Sequence, residues 1–280
     1  MDLRKWRKGF KKKLHLLWSA LKKFYNDHGF FLSSGITFNF LISLIPFILL
    51  LLALLGTYLY SYREVVNHIR GYMQDAFPSL DSKIMNNLLK IMRDRKIVGG
   101  VGVIGLVWTS TWVFSSLRTA LNIVFQAETG RGILRGKGVD LLMILLAGTF
   151  LLMTMLLTSG VTIVQGYRFG PFLDMMPILR FVLKYLIPFF FTYWMCFLIY
   201  KIIPNKKIRI GTALQAALFT SLLWEASKQL FGWYVLHLGR FSILYGSLST
   251  VAIFFIWMYY SSAILLLGGE VAFCVEKTKA

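Results

Sequence analysis

Charge is in short supply in this chain. Only 15% of its 280 residues are Asp, Glu, Lys or Arg, and just 12 of those are acidic. A soluble globular domain carries about a quarter charged residues, so a water-soluble fold is excluded. Histidine is scarcer still: His15, His28, His68 and His237 stand far apart, with no HxxxH or HxHxD spacing. Metal-dependent phosphodiester hydrolysis needs clustered His, Asp or Glu ligands, which this spacing does not supply. The two cysteines, Cys196 and Cys274, lie in or beside apolar runs without a CxxC or Cys/His pattern. That argues against a disulfide or zinc site and for small apolar residues. The glycine-rich "GGVGVIG" at Gly99 to Gly105 lacks the Lys-Ser/Thr of a phosphate-binding loop. No Ser/His/Asp constellation stands out either. The expectation is a protein that is not an enzyme, holds no cofactor or metal, and would draw on ATP only through a partner. The first 29 residues lack a short apolar core followed by a small-residue cleavage site, so they are expected to stay attached rather than act as a signal peptide.

What the chain has instead is apolar length. Hydrophobic residues make up 57% of it, and mean hydropathy is positive. Apolar runs recur at about the 20 residues that a helix needs to cross the hydrocarbon core, and backbone in lipid must satisfy its own hydrogen bonds. Continuous runs, rather than two-residue alternation, select helices. Six spans are expected: about Phe31 to Tyr60, Ile97 to Phe114, Val139 to Gln165, Ile178 to Tyr200, Gly211 to Leu238 and Ser242 to Val275. Several exceed the minimum, so tilt or protrusion is expected. The fold class is an all-α polytopic membrane protein. A basic amphipathic segment (1–29) precedes a six-helix domain (30–276), and a short tail (277–280) follows it.

Lys and Arg collect at the N-terminus (Arg4 to Lys23), after the second span (Arg118, Arg131, Arg135, Lys137) and in "KIIPNKKIR". By the positive-inside rule these segments and the tail face the cytoplasm, as does a chain with six spans and both termini on one side. The loop 61–96 is the exception, with seven basic residues from Arg63 to Lys96 against Glu64, Asp75, Asp81 and Asp94. Its apolar residues recur at helical spacing before and after Pro78, predicting two short amphipathic helices on the outer face, either a solvated cap or a moving gate. In the N-terminal segment, Leu14, Leu17, Trp18, Leu21 and Phe24 form a stripe bordered by Lys11 to Lys13, Lys22 and Lys23. A nucleic-acid arm has no use for such a stripe. It predicts a helix lying on the cytoplasmic leaflet, with anionic headgroups as partners and no nucleic acid.

Polar residues inside spans are costly and tend to face a bundle interior or a wet cavity. The first span puts Gly35, Asn39 and Ser43 on one stripe, with Pro46 beyond as a source of a kink. This is either a helix-packing face or a cavity wall. In the second, Gly105, Thr109 and Trp112 share a face that continues through Ser116 toward Arg118 and Asn122. Arg118 suits a headgroup phosphate or an ion pair with Glu128 or Asp140. Glu225 and Lys228 are the deepest charges. At i, i+3 they share a helix face and can pair, as a structural salt bridge or a step on a transport path. Glu270 follows Gly268 and Gly269, which permit close packing, with Lys207, Arg209 or Arg118 as expected partners.

Four stretches, "SSGITFNFLISLIPFILLLLALLG", "WTSTWVFSSLRTALNIVF", "IIPNKKIRIGTALQAALFTSLLWEASKQLFGWYV" and "YGSLSTVAIFFIWMYYSSAILLLGGEVAF", together resemble the YihY/BrkB family of bacterial inner-membrane proteins. The likeness runs from about residue 20 to 276. Its most specific elements are Ser43 to Pro46, Pro204-Asn205, Trp224-Glu225 with Lys228, Tyr245-Gly246-Ser247 and the Gly-x-Glu ending at Glu270. The chain departs from the family pattern at Phe38 and Asn39, where tyrosines are usual, and at Ala272 and Phe273, where a polar residue often stands. The resemblance implies six inner-membrane helices with both termini inside. Members were once labelled a ribonuclease, some are called virulence or serum-resistance factors, and lipid movement has been suggested for them.

The leading functional expectation is a lipid transporter of the flippase or scramblase type, for phospholipid or a lipid-linked precursor. Its headgroup would follow a polar groove between the first, second and fifth spans, with pathway candidates Asn39, Ser43, Thr109, Trp112, Arg118, Asn122, Glu225, Lys228, Tyr245 and Glu270. Lys22, Lys23 and Arg118 on one rim and Arg93, Arg95 and Lys96 on the other suit an anionic headgroup. The alternatives are a transporter or exporter of a small solute or ion, and a non-transporting scaffold of an envelope complex. The small-residue faces could pack within one bundle or between protomers of a homo-oligomer.

Overall fold

The computed structural model describes residues 3–59, 90, 94–127, 133–166, 182, 186–238 and 247–279. The two amphipathic helices expected within 61–96 fall almost wholly outside them. Among the described residues the chain is helical, with no strand. The helices are α1 (Leu3–Asn26), α2 (Gly29–Leu59), α3 (Arg95–Val124), α4 (Ile133–Gly166), α5 (Ile187–Ile202), α6 (Ile210–Leu238) and α7 (Ser247–Lys279). Three stretches are long and apolar enough to cross a membrane: Gly29–Leu54, Arg95–Val124 and Val251–Thr278. Ile187–Ile202 is apolar but shorter. The structure thus supports three of the six expected spans on length and hydropathy.

The chain divides into two compact units, residues 38–113 and residues 1–37 with 114–280. In the first, the distal part of α2 packs antiparallel on the start of α3 through small residues. A Cβ on Gly102 would stand 3.1 Å from the Leu50 backbone nitrogen, one on Gly105 would stand 3.1 Å from Pro46 Cβ, and Gly99 faces Ala53. Pro46, Leu50 and Ala53 follow one another at helical spacing, as do the three glycines. Without a hydrophobic drive between helices in lipid, such close backbone approach supplies the packing. Pro46 sits inside α2, whose helical assignment continues through it.

The second unit is built around Tyr200, which is wholly buried. Its hydroxyl donates to the Leu265 carbonyl at 2.7 Å and lies 2.7 Å from Thr220 Oγ1, tying α5, α6 and α7 together. Gly268 makes this junction possible, because a Cβ there would fall 1.7 Å from Thr220 Oγ1 and 2.3 Å from the Tyr200 hydroxyl. Gly269, on the next face of α7, receives Val124 and Leu121 of α3. The core continues through Leu121, Phe125, Met143, Ile203, Ala213, Ala216, Ala217 and Leu266.

The turn from α1 to α2 also depends on close approach. His28, not the glycine after it, takes the left-handed conformation (φ 55°). Gly29 is needed for space, since a Cβ there would lie 2.4 Å from the Phe24 ring. Phe24 in turn meets Phe30 edge to face at 5.0 Å between centroids.

Candidate functional site

Glu225 lies near the middle of α6, fifteen residues from Ile210 and thirteen from Leu238, with Lys228 three residues further on. At 1.5 Å per residue each end is about 20 Å away. Lys228 Nζ donates to Glu225 Oε2 at 2.7 Å, and Gln229 Nε2 reaches Glu225 Oε1 at 3.2 Å, so both carboxylate oxygens are engaged. The i, i+3 spacing alone dictates this pairing. The pair is not sealed: 40% of the Lys228 side chain and 28% of the Glu225 side chain remain accessible.

Aromatic rings border the pair. Lys228 Nζ stands 5.4 Å from the Trp224 ring centroid, within cation–π range. Trp224, Lys228 and Phe231 share a face by the i, i+4, i+7 rule. Trp257 of α7 packs on both rings, at 5.8 Å from Trp224 and 4.8 Å from Phe231. Trp224 Nε1 is anchored by Ser261 Oγ at 3.3 Å. Trp257, Phe231 and Ser261 were not singled out in the sequence. Their signal was weak, since aromatic and small residues occur throughout the apolar runs.

Glu270 is different in kind. It is fully buried, and its partner is Lys23 at 2.8 Å rather than Lys207, Arg209 or Arg118. The alternatives are engaged or turned away: Arg209 faces Glu276 at 3.5 Å, Arg118 is committed elsewhere, and Lys207 is exposed. Lys23 also donates to Asp27 Oδ2 at 2.5 Å and to the Val124 carbonyl at 2.7 Å, with its ammonium 4.3 Å from the Phe273 ring centroid. Lys206 donates to the neighbouring Phe125 carbonyl at 3.4 Å, so two cations satisfy the orphan carbonyls ending α3. Asn122 belongs to the same knot: its Oδ1 accepts from the Asn205 backbone N–H at 2.8 Å, which fixes the turn after α5.

Arg118 donates from Nη1 to Asp140 at 2.8 Å. Gly136 makes room for it, because a Cβ there would lie 2.7 Å from that nitrogen. Of the two carboxylates expected, Asp140 is paired with Arg118, and Glu128 lies outside the described residues. Lys23 and Arg118 are therefore both held by carboxylates, while Lys22 and Lys96 are exposed.

Asn39, Ser43, Thr109 and Trp112 belong to the unit 38–113. Ser43 donates to the Phe40 carbonyl at 2.6 Å and Thr109 to the Gly105 carbonyl at 2.9 Å, so both hydroxyls are spent on their own helices. Trp112 is exposed and Asn39 half-buried. Tyr245 lies outside the described residues. Among the described residues no three His, Cys, Asp or Glu side chains gather as metal ligands do.

Comparison with known proteins places this geometry in context. The profile of the family described as Virulence factor BrkB matches residues 20–280. A UPF0761 membrane protein of Pseudoalteromonas atlantica is 27% identical over 84% of this chain and 77% of its own length. One of Rhodospirillum centenum is 28% identical over 93% of the chain, and one of Chlorobium phaeobacteroides is 26% identical over 92%. The chain spans only 57% and 56% of the length of these last two. No solved structure matches.

Proposed function

Because the chain belongs to the BrkB virulence-factor family of membrane proteins, we propose that it is a six-span lipid transporter of the bacterial inner membrane. In this reading both termini are cytoplasmic, and no chemical step is performed on the cargo. A polar headgroup passes the Glu225–Lys228 pair while its acyl tails stay in the bilayer. The cargo is a phospholipid or lipid-linked precursor whose anionic phosphate is the recognised part, with exposed Lys22 and Lys96 suited to receive it.

One observation carries the reading: an accessible ion pair near the middle of a helix about as long as a bilayer is thick. An ionised side chain at the midplane costs about 2.5–3.5 kcal/mol on insertion scales. Apolar residues of similar volume would be as stable or more so. The Glu270–Lys23 pair is buried on the acid side. The Glu225–Lys228 pair is left open, which suits a site that exchanges partners.

The test is reconstitution into liposomes carrying fluorescent phospholipids, with the outer leaflet bleached by dithionite. Protein-dependent loss of the protected inner-leaflet signal is expected, and Glu225→Gln should slow it several-fold. Vesicles that bleach no further with protein than without, over several lipid classes and under a pH gradient, would refute lipid transport. Solute flux in those same vesicles would indicate a small-solute or ion pathway, and no flux of any kind a scaffold.

A further inference from the structure

We infer that the Glu225–Lys228 site selects headgroups that are zwitterionic, bearing an ammonium as well as a phosphate, over headgroups that are only anionic. The inference rests on the lipid-transport reading and names the class of cargo.

Charge balance carries it. Lys228 and Glu225 neutralise each other at 2.7 Å. An anionic headgroup that captures Lys228 strips Glu225 of its counter-charge, and a carboxylate left without its counter-ion near the middle of a membrane-length helix is costly. A zwitterionic headgroup replaces one ion pair by two: its phosphate takes Lys228, its ammonium takes Glu225, and no charge is stranded. In an ethanolamine or choline headgroup, phosphate and ammonium are joined by a two-carbon link, so a single headgroup can address two side chains that already touch.

The surroundings favour a cation at the same place. Trp224, Trp257 and Phe231 form a continuous aromatic patch beside the pair. Trp224 already accommodates the Lys228 ammonium at 5.4 Å. Ring faces of this kind attract quaternary and primary ammonium groups, and Phe231 and Trp257 extend that surface past Lys228. Gln229 holds the second carboxylate oxygen, which keeps Glu225 in place while its partner changes.

The experiment uses full-length protein in liposomes with acyl-chain-labelled phosphatidylethanolamine, phosphatidylcholine or phosphatidylglycerol, whose headgroups are unmodified. The two zwitterionic lipids should cross at least fivefold faster than phosphatidylglycerol. Glu225→Gln, which leaves Lys228 without its acid, should slow the zwitterions far more than phosphatidylglycerol and so abolish or reverse the order. The charge-swapped pair Glu225→Lys with Lys228→Glu keeps neutrality and should keep the zwitterion preference, which separates charge balance from misfolding. Equal rates for all three lipids, or a faster phosphatidylglycerol, would overturn the inference while leaving lipid transport standing. Acceleration of none would remove both.

Discussion

Lys23 shows how much a single side chain can be asked to do. Its ammonium serves Asp27, the Val124 carbonyl and Glu270, and it lies against the Phe273 ring. Removing one partner of a buried pair leaves an uncompensated charge, a loss of roughly 3–5 kcal/mol. Lys23→Met should therefore destabilise the protein by about that much, measured as denaturant unfolding in detergent. The double variant Lys23→Met with Glu270→Gln should recover a large part of the loss, because the fully buried charge is gone and only the partly accessible Asp27 is left without its partner. Additive losses in that cycle would show the pair to be independent. In the sequence Lys23 reads as one more cation of a basic cluster, since a count of Lys and Arg treats them as interchangeable. What distinguishes it is its place between buried Ala20 and Phe24, on the face that α1 turns toward α7.

At the scale of helices, α1 carries two faces. Ala20, Lys23, Phe24 and Asp27 turn inward, while Leu14, Trp18, Leu21 and Tyr25 form an exposed apolar stripe at helical spacing. The sequence placed Phe24 with that stripe; the structure moves it to the core, against Gly29 and Phe30. An apolar stripe with exposed Lys11 and Lys22 nearby suits a leaflet surface. Polarity-sensitive fluorophores on cysteines placed at 14 and 21 should emit as in a lipid interface, and one at 22 as in water. Identical aqueous emission from all three would argue that α1 stands off the membrane. α7 owes its contacts to Gly268. Gly268→Ala should cost about 1–3 kcal/mol or more from overpacking, as its methyl meets the Thr220 and Tyr200 hydroxyls. Gly138→Ala, with nothing near its Cβ, is the matched control and should be neutral or slightly stabilising. Thermal unfolding in detergent would compare them.

For the whole molecule, the expected arrangement is six spans with both termini cytoplasmic. A green fluorescent protein fused after Ala280 should fluoresce, and alkaline phosphatase fused there should be inactive; the opposite result would reverse the orientation. Part of the fold is legible from the chain. Apolar runs give α2, α3 and α7 outright, because only an intrachain hydrogen-bonded helix suits backbone in lipid. The Glu225–Lys228 contact is legible for a similar reason, since i, i+3 geometry belongs to the helix itself. Less legible is α6, whose central charges keep it out of the most apolar class although it has 29 residues. For Arg118 the sequence leaves a headgroup phosphate, Glu128 or Asp140 open, and the structure pairs it with Asp140 across 22 residues, with Gly136 clearing the space.

By itself, then, the sequence determined a helical membrane chain and the Glu225–Lys228 pair formed within a single helix. Both follow from local rules: backbone bonds must close within a segment, and residues three apart on a helix are neighbours. Tertiary structure alone decided which cation answers Glu270, which face of α1 is buried and why Gly268 must lack a side chain. Those outcomes depend on which helices meet. A buried charge takes whichever opposite charge packing brings within reach, and nothing in the spacing of the chain records that choice.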